Sequence, residues 1–377
     1  MDLLTPLAAA TVSVVARRLV DLGYENIRAV TSAQQVRVWY ENRRRPDPMA
    51  ALAEVLAAVA PLAPPDATVS VIPLSDDQPL LDVETTAAAI LRAEGQLVTP
   101  AASATLEPGE PAPGTGHREP LVATIGPPIM PPRRALASTA ETTDITIQPA
   151  YRFNQTSYAL LARAYANAPI SSGLRVFAQV QAPVYPKLGV DPAIGAIYSS
   201  GWLAPDVPAQ FDVGFNGSSA QVGGEAAYEI AGGLGMLELR GGLAQNRFPE
   251  LIATAAANLP WWDLSLAGGW GTYELGDFGP FATLTRTFPR SAFQVGAFDS
   301  GYGLQFRATF SIDYGPDPRP APSTFRVIPF GRFQTQYAAT AYQAAQRITP
   351  GPSVADFLDR MTPAYVRAHL DRLPWPR

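Results

Sequence analysis

A pair of glutamates gives this sequence its clearest opportunity for chemistry. Glu225 and Glu229 lie in a run of alternating residues, in which every second side chain shares one face of a strand. Glycoside hydrolysis uses two carboxylates that lie about 5 to 10 Å apart, one of them as a general acid. Both glutamates could also simply line a polar interior, and the surrounding alternation favours that interpretation.

Two Glu-Asn dipeptides near the N-terminus form a second candidate site. With their neighbours they make a carboxylate and amide patch that could bind sugar hydroxyls. Asn and Glu also end turns and strands by bonding to the backbone, so a purely structural role stays open. The patch comprises Glu25, Asn26, Tyr40, Glu41, Asn42 and Arg43.

Other catalytic constellations are missing from the sequence. There is no cysteine, which excludes disulfides, thiolate nucleophiles and Cys-ligated metals. The two histidines, His117 in a Pro/Gly-rich stretch and His369 near the C-terminus, are too few for a typical imidazole metal centre. No GxSxG, P-loop, HExxH or EF-hand motif occurs. We therefore expect no catalytic residue, no metal and no cofactor.

The composition limits the class of protein. The chain has 377 residues, of which 47% are hydrophobic and 16% charged, so it is too apolar to be disordered. No run approaches the roughly 18 apolar residues of a spanning helix, so any membrane crossing must use strands. A net charge of −5 gives no general attraction to nucleic acid. We expect no nucleic-acid partner, and we interpret Arg43 to Arg45 as a solvated cluster.

Residues 1–98 mix helical and strand patterns. The first helix should end at Gly23, and alternating β-branched residues predict strands over Asn26–Thr31 and Gln35–Glu41. Asp47 and Pro48 have the types preferred at the start of a helix. The N-terminal run MDLLTPLAAATVSVVARR lacks the basic n-region of a secretory signal and fits this first helix. We expect any signal peptide to have been removed or left out of the numbering. A small α/β domain is predicted.

The regions on either side of the predicted strands differ from them in character. Residues 99–142 are rich in Pro, Gly and Ala without a period, which indicates a linker. Residues 338–377 carry apolar residues at helical spacing among charges, which predicts a C-terminal helical segment. His369 lies there and is expected to be a surface or partly packed residue.

Residues 143–337 alternate strongly between apolar and polar side chains. In the stretch YGLQFRATFSIDY, Leu304, Phe306 and Phe310 occupy one set of places, while Gln305 and Arg307 belong to the other. Such a strand has one apolar face and one polar face. About ten to twelve segments of about ten residues follow this pattern, the length of a tilted membrane strand. The region therefore predicts a long antiparallel meander.

The polar residues of the meander favour a transmembrane barrel over a soluble sandwich. Glycine and small residues on the polar face suit a confined lumen, and Tyr and Trp near strand ends suit bilayer interfaces. Strands that contact lipid must also close, because an open edge would leave backbone groups unsatisfied. The candidates for a lumen that contacts glycan are Arg175, Glu225, Glu229, Glu238, Arg240, Arg307 and Asp313.

The chain resembles a known family at both ends. GYENIRAV (23–30), VRVWYENRRR (36–45) and the helix MAALAEVLAAVAPLAP resemble the YjbH-type exopolysaccharide biosynthesis proteins of Gram-negative outer membranes. The block RTFPRSAFQVGAFDSGYGLQFRATFSIDYGP (286–316) is similar to late barrel strands of that family. The resemblance implies an outer-membrane barrel with a periplasmic α/β domain, associated with making or exporting a surface polysaccharide. It implies no catalytic residue.

Two functions of different classes follow from these patterns. The first is a non-enzymatic outer-membrane barrel that serves exopolysaccharide biosynthesis or export as a conduit or scaffold, with lipid, polysaccharide and other secretion-system proteins as partners. The second is a secreted soluble β-rich protein that binds or modifies carbohydrate. In the second, Trp202, Trp261 and Trp262 would stack on sugar rings. The sequence favours the first.

Overall fold

The computed structural model describes most of the chain in segments. These are residues 6–42, 45, 47–75, 78–95, 120–130, 136–137, 143–154, 158–171, 173–185, 191–204, 207–216, 219–244, 249–272, 278–300, 303–312, 325–329, 333–338 and 361–376. Within them the protein is mainly β and mainly antiparallel, as predicted, with a smaller helical content. The residues form two sheets, and the helices lie near the two ends of the sequence.

The N-terminal part is a small mixed sheet with helices, as predicted. Its strands are β1 (Glu25–Thr31), β2 (Gln35–Glu41), β3 (Thr68–Ser75), β4 (Gln78–Pro79), β5 (Asp82–Thr86), β6 (Thr124–Gly126) and β7 (Leu136–Ala137). Its helices are α1 (Pro6–Asp21), α2 (Pro48–Val59) and α3 (Ala87–Glu94). The strand order is β6-β5-β3-β2-β1-β7, with β4 paired to β3. The pair β2–β3 is parallel, and α2 supplies the crossover between these two strands.

Local sequence signals set the bounds of these helices. Asp47 caps α2, because its side chain accepts a hydrogen bond of 3.0 Å from the Met49 backbone N–H. Thr86 caps α3 in the same way, through a bond of 3.2 Å from the Ala89 N–H. Gly95 ends α3 with φ 85°, a left-handed conformation that glycine adopts without strain. The predicted strands over Asn26–Thr31 and Gln35–Glu41 and the predicted helix start at Asp47 are confirmed.

An apolar core lies between the helices and the small sheet. Val15 and Leu19 of α1, Leu52 and Leu56 of α2 and Ile90 of α3 are fully buried. Their spacing of three or four residues places them on one side of each helix. Part of the region predicted as a linker joins this domain, because β6 pairs with β5 and β7 pairs with β1. His117 lies outside the described residues.

The second sheet contains 14 strands, more than the ten to twelve predicted. They are β8 (Thr143–Asn154), β9 (Tyr158–Ser171), β10 (Leu174–Tyr185), β11 (Asp191–Ala204), β12 (Val207–Asn216), β13 (Ser219–Ile230), β14 (Gly235–Ala244), β15 (Glu250–Leu259), β16 (Leu264–Thr272), β17 (Phe278–Phe288), β18 (Ser291–Ser300), β19 (Gly303–Ile312), β20 (Phe325–Pro329) and β21 (Phe333–Ala338). We call this the large sheet. β20 and β21 have only five and six residues, shorter than the segments of about ten residues on which the prediction rests.

Strands β9 to β19 pair with their neighbours in sequence order, each pair antiparallel. The strands at the two ends of the region depart from this meander. β8 pairs antiparallel with β9 and parallel with both β20 and β21. β21 in turn pairs antiparallel with β19. Starting from β8 and β9, each strand therefore pairs with the next as far as β19, β19 pairs with β21, and β21 pairs with β8.

A short C-terminal helix, α4 (Pro363–His369), joins the two sheets. Val366 and Trp375 are buried in the core of the α/β domain. The same helix contacts two tight turns of the large sheet, at residues 231–233 and 260–262. Gly233 lies so close to Thr362 that a Cβ at this position would overlap the Thr362 side chain. The predicted C-terminal helix is confirmed over these residues, while the predicted helical stretch 339–360 lies outside the described residues.

None of the helices in the described segments is long and apolar enough to cross a membrane.

Candidate functional site

The two faces of the large sheet are opposite to those of a water-soluble sheet. Val213 on β12 and Leu239 on β14 are 58% and 56% exposed. Arg175 on β10 and Asp212 on β12 are only 1% and 4% exposed. We call the face that carries Val213 and Leu239 the apolar face and the opposite one the polar face. The strand from which YGLQFRATFSIDY was taken follows the same rule, since Phe306 is exposed and Gln305 is buried.

The backbone register carries each face across the strands. One row of directly paired residues crosses seven strands on the polar face: Ala227, Glu238, Thr254, Gly269, Phe281, Phe298 and Gln305. The next row contains Glu229, Met236, Ala256, Ala267, Thr283, Gly296 and Arg307. Because paired residues in an antiparallel sheet point to the same side, the polar face is continuous from β13 to β19.

The register assigns the predicted lumen residues to this polar face. Six of them lie there: Arg175, Glu225, Glu229, Glu238, Arg240 and Arg307. Glu225 and Arg240 are directly paired across β13 and β14, and Arg240 also forms an ion pair of 2.7 Å with Glu250. The attraction within the Arg240–Glu250 pair offsets part of the cost of burying these charges. Asp313 lies outside the described residues.

The α/β domain covers the polar face on strands β10 to β13. Arg175 on β10 donates from Nη2 to Oε1 of Glu41 on β2 at 3.2 Å, and both side chains are almost completely buried. Gln78 on β4 donates to the carbonyl oxygen of Ala209 on β12 at 3.2 Å. Leu80 packs against Ala227 on β13. We call these contacts the junction. Sequence patterns do not reveal Gln78 and Leu80 as its members, because neither belongs to a motif.

One residue of the predicted N-terminal patch, Glu41, belongs to the junction, and most of the patch is buried. Glu25, Asn26, Tyr40 and Glu41 are buried. Asn26 donates to Oε2 of Glu41 at 3.2 Å, while Arg175 binds the other carboxylate oxygen. Those contacts use both oxygens of Glu41, and the burial favours the structural role that the sequence left open for these residues. Arg43 lies outside the described residues.

Asn26 has a conformational reason for its position in β1. Its φ is 47°, in the left-handed region that Asn tolerates better than most residues. The ladder between β1 and β2 shifts register between Glu25 and Arg28, which is a β-bulge. The bulge turns the Asn26 side chain toward Glu41, and Arg28 donates to Asn26 Oδ1 at 3.2 Å. The first Glu-Asn dipeptide thus orients the carboxylate that receives Arg175.

Asn42 of the second Glu-Asn dipeptide shapes the loop before α2. Its side chain accepts from the Arg45 N–H and donates to the Arg45 carbonyl, each at 2.9 Å. Arg45 in turn binds both carboxylate oxygens of Glu54, at 2.9 and 2.6 Å. Tyr24 donates to Glu54 at 2.6 Å. Burial raises the pKa of Tyr24 well above its ordinary value, so its hydroxyl stays a donor.

The polar face on strands β15 to β19 is less enclosed than on β10 to β13. Thr254, Asn258, Thr283, Thr285 and Gln294 are all partly exposed there. Hydroxyl and amide groups therefore dominate this part of the face, and Gln294 donates to Thr285 at 3.1 Å. Two phenylalanines lie among them. The rings of Phe281 and Phe298 are stacked with centroids 6.1 Å apart and an interplanar angle of 23°.

The C-terminal helix holds the turn that follows β15. Tyr365 donates to Oδ1 of Asp263 at 2.9 Å, and His369 Nε2 lies 3.2 Å from the same oxygen. The Tyr365 and His369 rings stack at 4.2 Å. His369 is partly packed, as predicted. The neighbouring Trp261 and Trp262 are largely exposed, and they lie at the end of the large sheet that contacts α4.

No group of three or more His, Cys, Asp or Glu residues in the described segments could hold a metal ion. The predicted carboxylate pair, Glu225 and Glu229, shares the polar face, but the register gives each a different neighbour. Glu225 pairs with Arg240 and Glu229 pairs with Met236.

Comparisons with known proteins give no relative. No family model matches the chain, and no match was found among curated proteins or among solved structures.

Proposed function

We propose that this protein is an outer-membrane β-barrel of a Gram-negative-type bacterium. Its large sheet would cross the membrane with the apolar face toward lipid, and its α/β domain would lie in the periplasm at one end. In this role it would serve exopolysaccharide biosynthesis or export as a conduit or scaffold, together with other secretion-system proteins.

The reversed burial of the large sheet carries this proposal. A sheet in water buries its apolar face, because each buried Val or Leu side chain contributes about 1.5 to 3 kcal/mol. Here residues such as Leu239 and Phe306 are exposed while Arg175 and Gln179 are buried. An apolar face this extensive is unfavourable in water and favourable in lipid. The exposed Trp261 and Trp262 suit the interface at the membrane surface.

The pairings of β8 support closure. A strand in lipid needs partners on both edges, since an unpaired backbone group in hydrocarbon costs several kcal/mol. β8 has β9 on one edge and β21 on the other, and the remaining strands connect these two in an unbroken series. A closed barrel is the arrangement that such pairings favour.

The role in exopolysaccharide export follows from the resemblance of the N-terminal and late strand motifs and from the polar face itself. Hydroxyl and amide side chains on β15 to β19 are suited to hydrogen bonds with sugar hydroxyls. The contacts of the α/β domain with β10 to β13 suit a periplasmic domain that lies at one end of the lumen.

Membrane insertion is tested by expressing the chain with an export signal and preparing the membrane fraction. We expect extraction by detergent only, and a mobility shift between heated and unheated samples on a denaturing gel. Phe306→Asp should reduce the heat-shifted form, because a carboxylate on the apolar face contacts lipid. Thr309→Asp, on the polar face of the same strand, should leave it unchanged. Buffer-soluble protein without a shift would instead support a secreted carbohydrate-binding protein.

The export role needs a separate measurement. A strain that lacks this protein should accumulate less extracellular polysaccharide, and the wild-type chain should restore it. Because Glu41→Gln with Arg175→Met removes the ion pair of the junction without leaving a buried charge, this double variant should insert normally, and a changed amount of exported polysaccharide would link the junction to export. Unchanged polysaccharide in the deletion strain would contradict the export role while leaving membrane insertion standing.

A further inference from the structure

Two phenylalanines of β12 to β19 lie on the polar face of the large sheet, whereas most of the phenylalanines in these strands lie on the apolar face. Most phenylalanines of β12 to β19 lie on the apolar face, as Phe306 and Phe293 do. Phe281 and Phe298 lie on the polar face, in the row that also contains Thr254 and Gln305. Both rings are partly exposed, and neither belongs to an apolar core cluster of the described residues.

Glycines allow both rings to lie down against the sheet. Gly269 is the cross-strand partner of Phe281, and a Cβ there would lie 3.0 Å from the tip of the Phe281 ring. Gly296 precedes Phe298 by two residues, and a Cβ there would lie 2.9 Å from Phe298 Cε2. With side chains at these positions the rings would have to stand away from the strands. The two glycines thus make a flat aromatic surface on the polar face.

A single cation lies over one of these two rings. The Arg307 guanidinium carbon lies 4.8 Å from the centroid of the Phe298 ring, within the range of a cation–π interaction. Arg307 is the cross-strand partner of Gly296, which leaves space above the backbone for both groups. In the described residues of β16 to β19, it is the only ionisable side chain on the polar face.

We infer that Phe281, Phe298 and Arg307 form a binding subsite for an acidic glycan chain. This inference rests on the proposed function and names its substrate class. The C–H face of a sugar ring packs on a flat aromatic ring, and a planar guanidinium binds a uronate carboxylate through two parallel hydrogen bonds. The neighbouring threonine hydroxyls and the Gln294 amide are placed to bond the sugar hydroxyls. An aromatic surface next to one arginine is therefore suited to a polymer of hexuronate units.

The test measures oligosaccharide binding by calorimetry with the full chain in detergent micelles. The probes are a hexamer of galacturonate and a neutral hexamer of β-1,4-linked glucose. We expect wild-type protein to prefer the galacturonate hexamer. Phe281→Leu and Phe298→Leu keep the apolar volume but lose the flat ring, and each should weaken binding of both probes about tenfold. Arg307→Gln should weaken the galacturonate hexamer about tenfold and leave the neutral one unchanged.

A matched control separates binding from packing. An aromatic ring that packs over glycine also stabilises a sheet, so a Phe→Leu substitution could weaken binding simply by lowering folding stability. The control variant therefore removes a ring that does not belong to the subsite. Phe293→Leu removes a ring from the apolar face of β18, the same strand as Phe298, and should not change either affinity. Equal weakening by Phe293→Leu and Phe298→Leu would contradict the subsite, as would unchanged galacturonate affinity in Phe281→Leu or Arg307→Gln.

The heat-shift assay on the same samples separates this inference from the proposed function. Wild-type protein that shows the shift but binds neither hexamer would overturn the subsite and leave the membrane barrel standing. Protein that binds the galacturonate hexamer through Phe281 and Arg307 without any shift would support the subsite and contradict the barrel.

Discussion

The α/β domain and the large sheet bury opposite kinds of side chain. In the α/β domain, Leu52 and Leu56 are fully buried against the small sheet, as in any water-soluble protein. In the large sheet the buried side chains include Arg175, Gln179 and Asp212, and many large apolar side chains are exposed. One chain thus contains two sheets with opposite patterns of burial.

This difference shows what the large sheet requires of its neighbours. A buried polar side chain needs a partner, because leaving it unpaired costs about 1 to 3 kcal/mol or more for a charge. The α/β domain supplies such partners on β10 to β13, through Glu41 and Gln78. Each part therefore depends on the other at the junction, and substitutions on the two sides should have unequal effects.

Loss of one charge at the junction should have the largest effect. Arg175→Met removes the cation from a pair whose side chains are only 2% and 3% exposed. Glu41 would then keep a buried charge without this partner, which typically costs about 4 kcal/mol. We expect the protection of β2 amides against hydrogen exchange to fall by this amount.

A double variant identifies the cause of that loss. Glu41→Gln keeps an acceptor for the Asn26 amide but removes the charge, so it should recover much of the stability when combined with Arg175→Met. If the double variant were as unstable as the sum of the two single variants, the ion pair would not be what couples the domain to the sheet.

A cavity in the α/β core should cost less than the broken ion pair. Leu52→Ala should lower the free energy of unfolding of this domain by about 3 kcal/mol, because Leu52 is fully buried. Leu239→Ala, on the apolar face of the large sheet, leaves no comparable cavity. Denaturant titration followed by hydrogen exchange of α2 peptides compares the two. A similar loss from both would contradict the difference between the two sheets.

A charge on the apolar face should have a smaller effect that depends on the membrane. Leu284→Arg places a guanidinium on the exposed apolar face, and we expect it to lower folding stability in vesicles by about 2 kcal/mol. Thr285→Arg, the adjacent residue on the polar face, should cost much less. The heat-shifted fraction after refolding into vesicles measures both. An equal effect of the two variants would mean that Leu284 does not contact lipid.

Local patterns predict most of the secondary structure. The cap Asp47 and the alternation of β10, β13 and β19 are confirmed, because each depends on residues close in sequence. The alternation also assigns the two faces of the large sheet, since the period of a strand is fixed by its geometry. The alternation does not predict that β8 pairs with β20 and β21, because these strands lie far from β8 along the chain.

The candidate site is predicted only in part, for the same reason. Arg175 and Glu41 are each recognisable as polar residues of interest, but they are 134 residues apart and no sequence pattern indicates their contact. The role of Phe281 has a weak signal, since it alternates in phase with Thr283, Thr285 and Thr287 rather than with Leu284. Apolar residues in phase with the polar set deserve inspection as candidate binding residues.

A buried acid inside the α/β domain gives the smallest expected effect. Asp82 is buried and accepts a hydrogen bond of 2.7 Å from the Ser70 hydroxyl. Burial raises the pKa of this carboxyl, while the Ser70 hydrogen bond and the Arg37 charge partly offset the rise. The folded state therefore binds the proton more tightly than the unfolded state. Its contribution to stability is present below the unfolded pKa and is lost as the pH rises through the folded pKa.

Asp82→Asn should remove this pH dependence, because an amide carries no charge at any of these pH values. The variant should gain stability relative to wild type as the pH rises from about 4 to 7, by about 1 kcal/mol or less. Denaturant titrations of the two proteins across this pH range measure the difference. Hydrogen exchange of β3 and β5 peptides monitors unfolding in these titrations. A parallel pair of pH profiles would mean that Asp82 keeps its charge without penalty. The hydrogen bonds and charges around Asp82 would then stabilise its carboxylate as fully as Arg175 and Asn26 stabilise the carboxylate of Glu41.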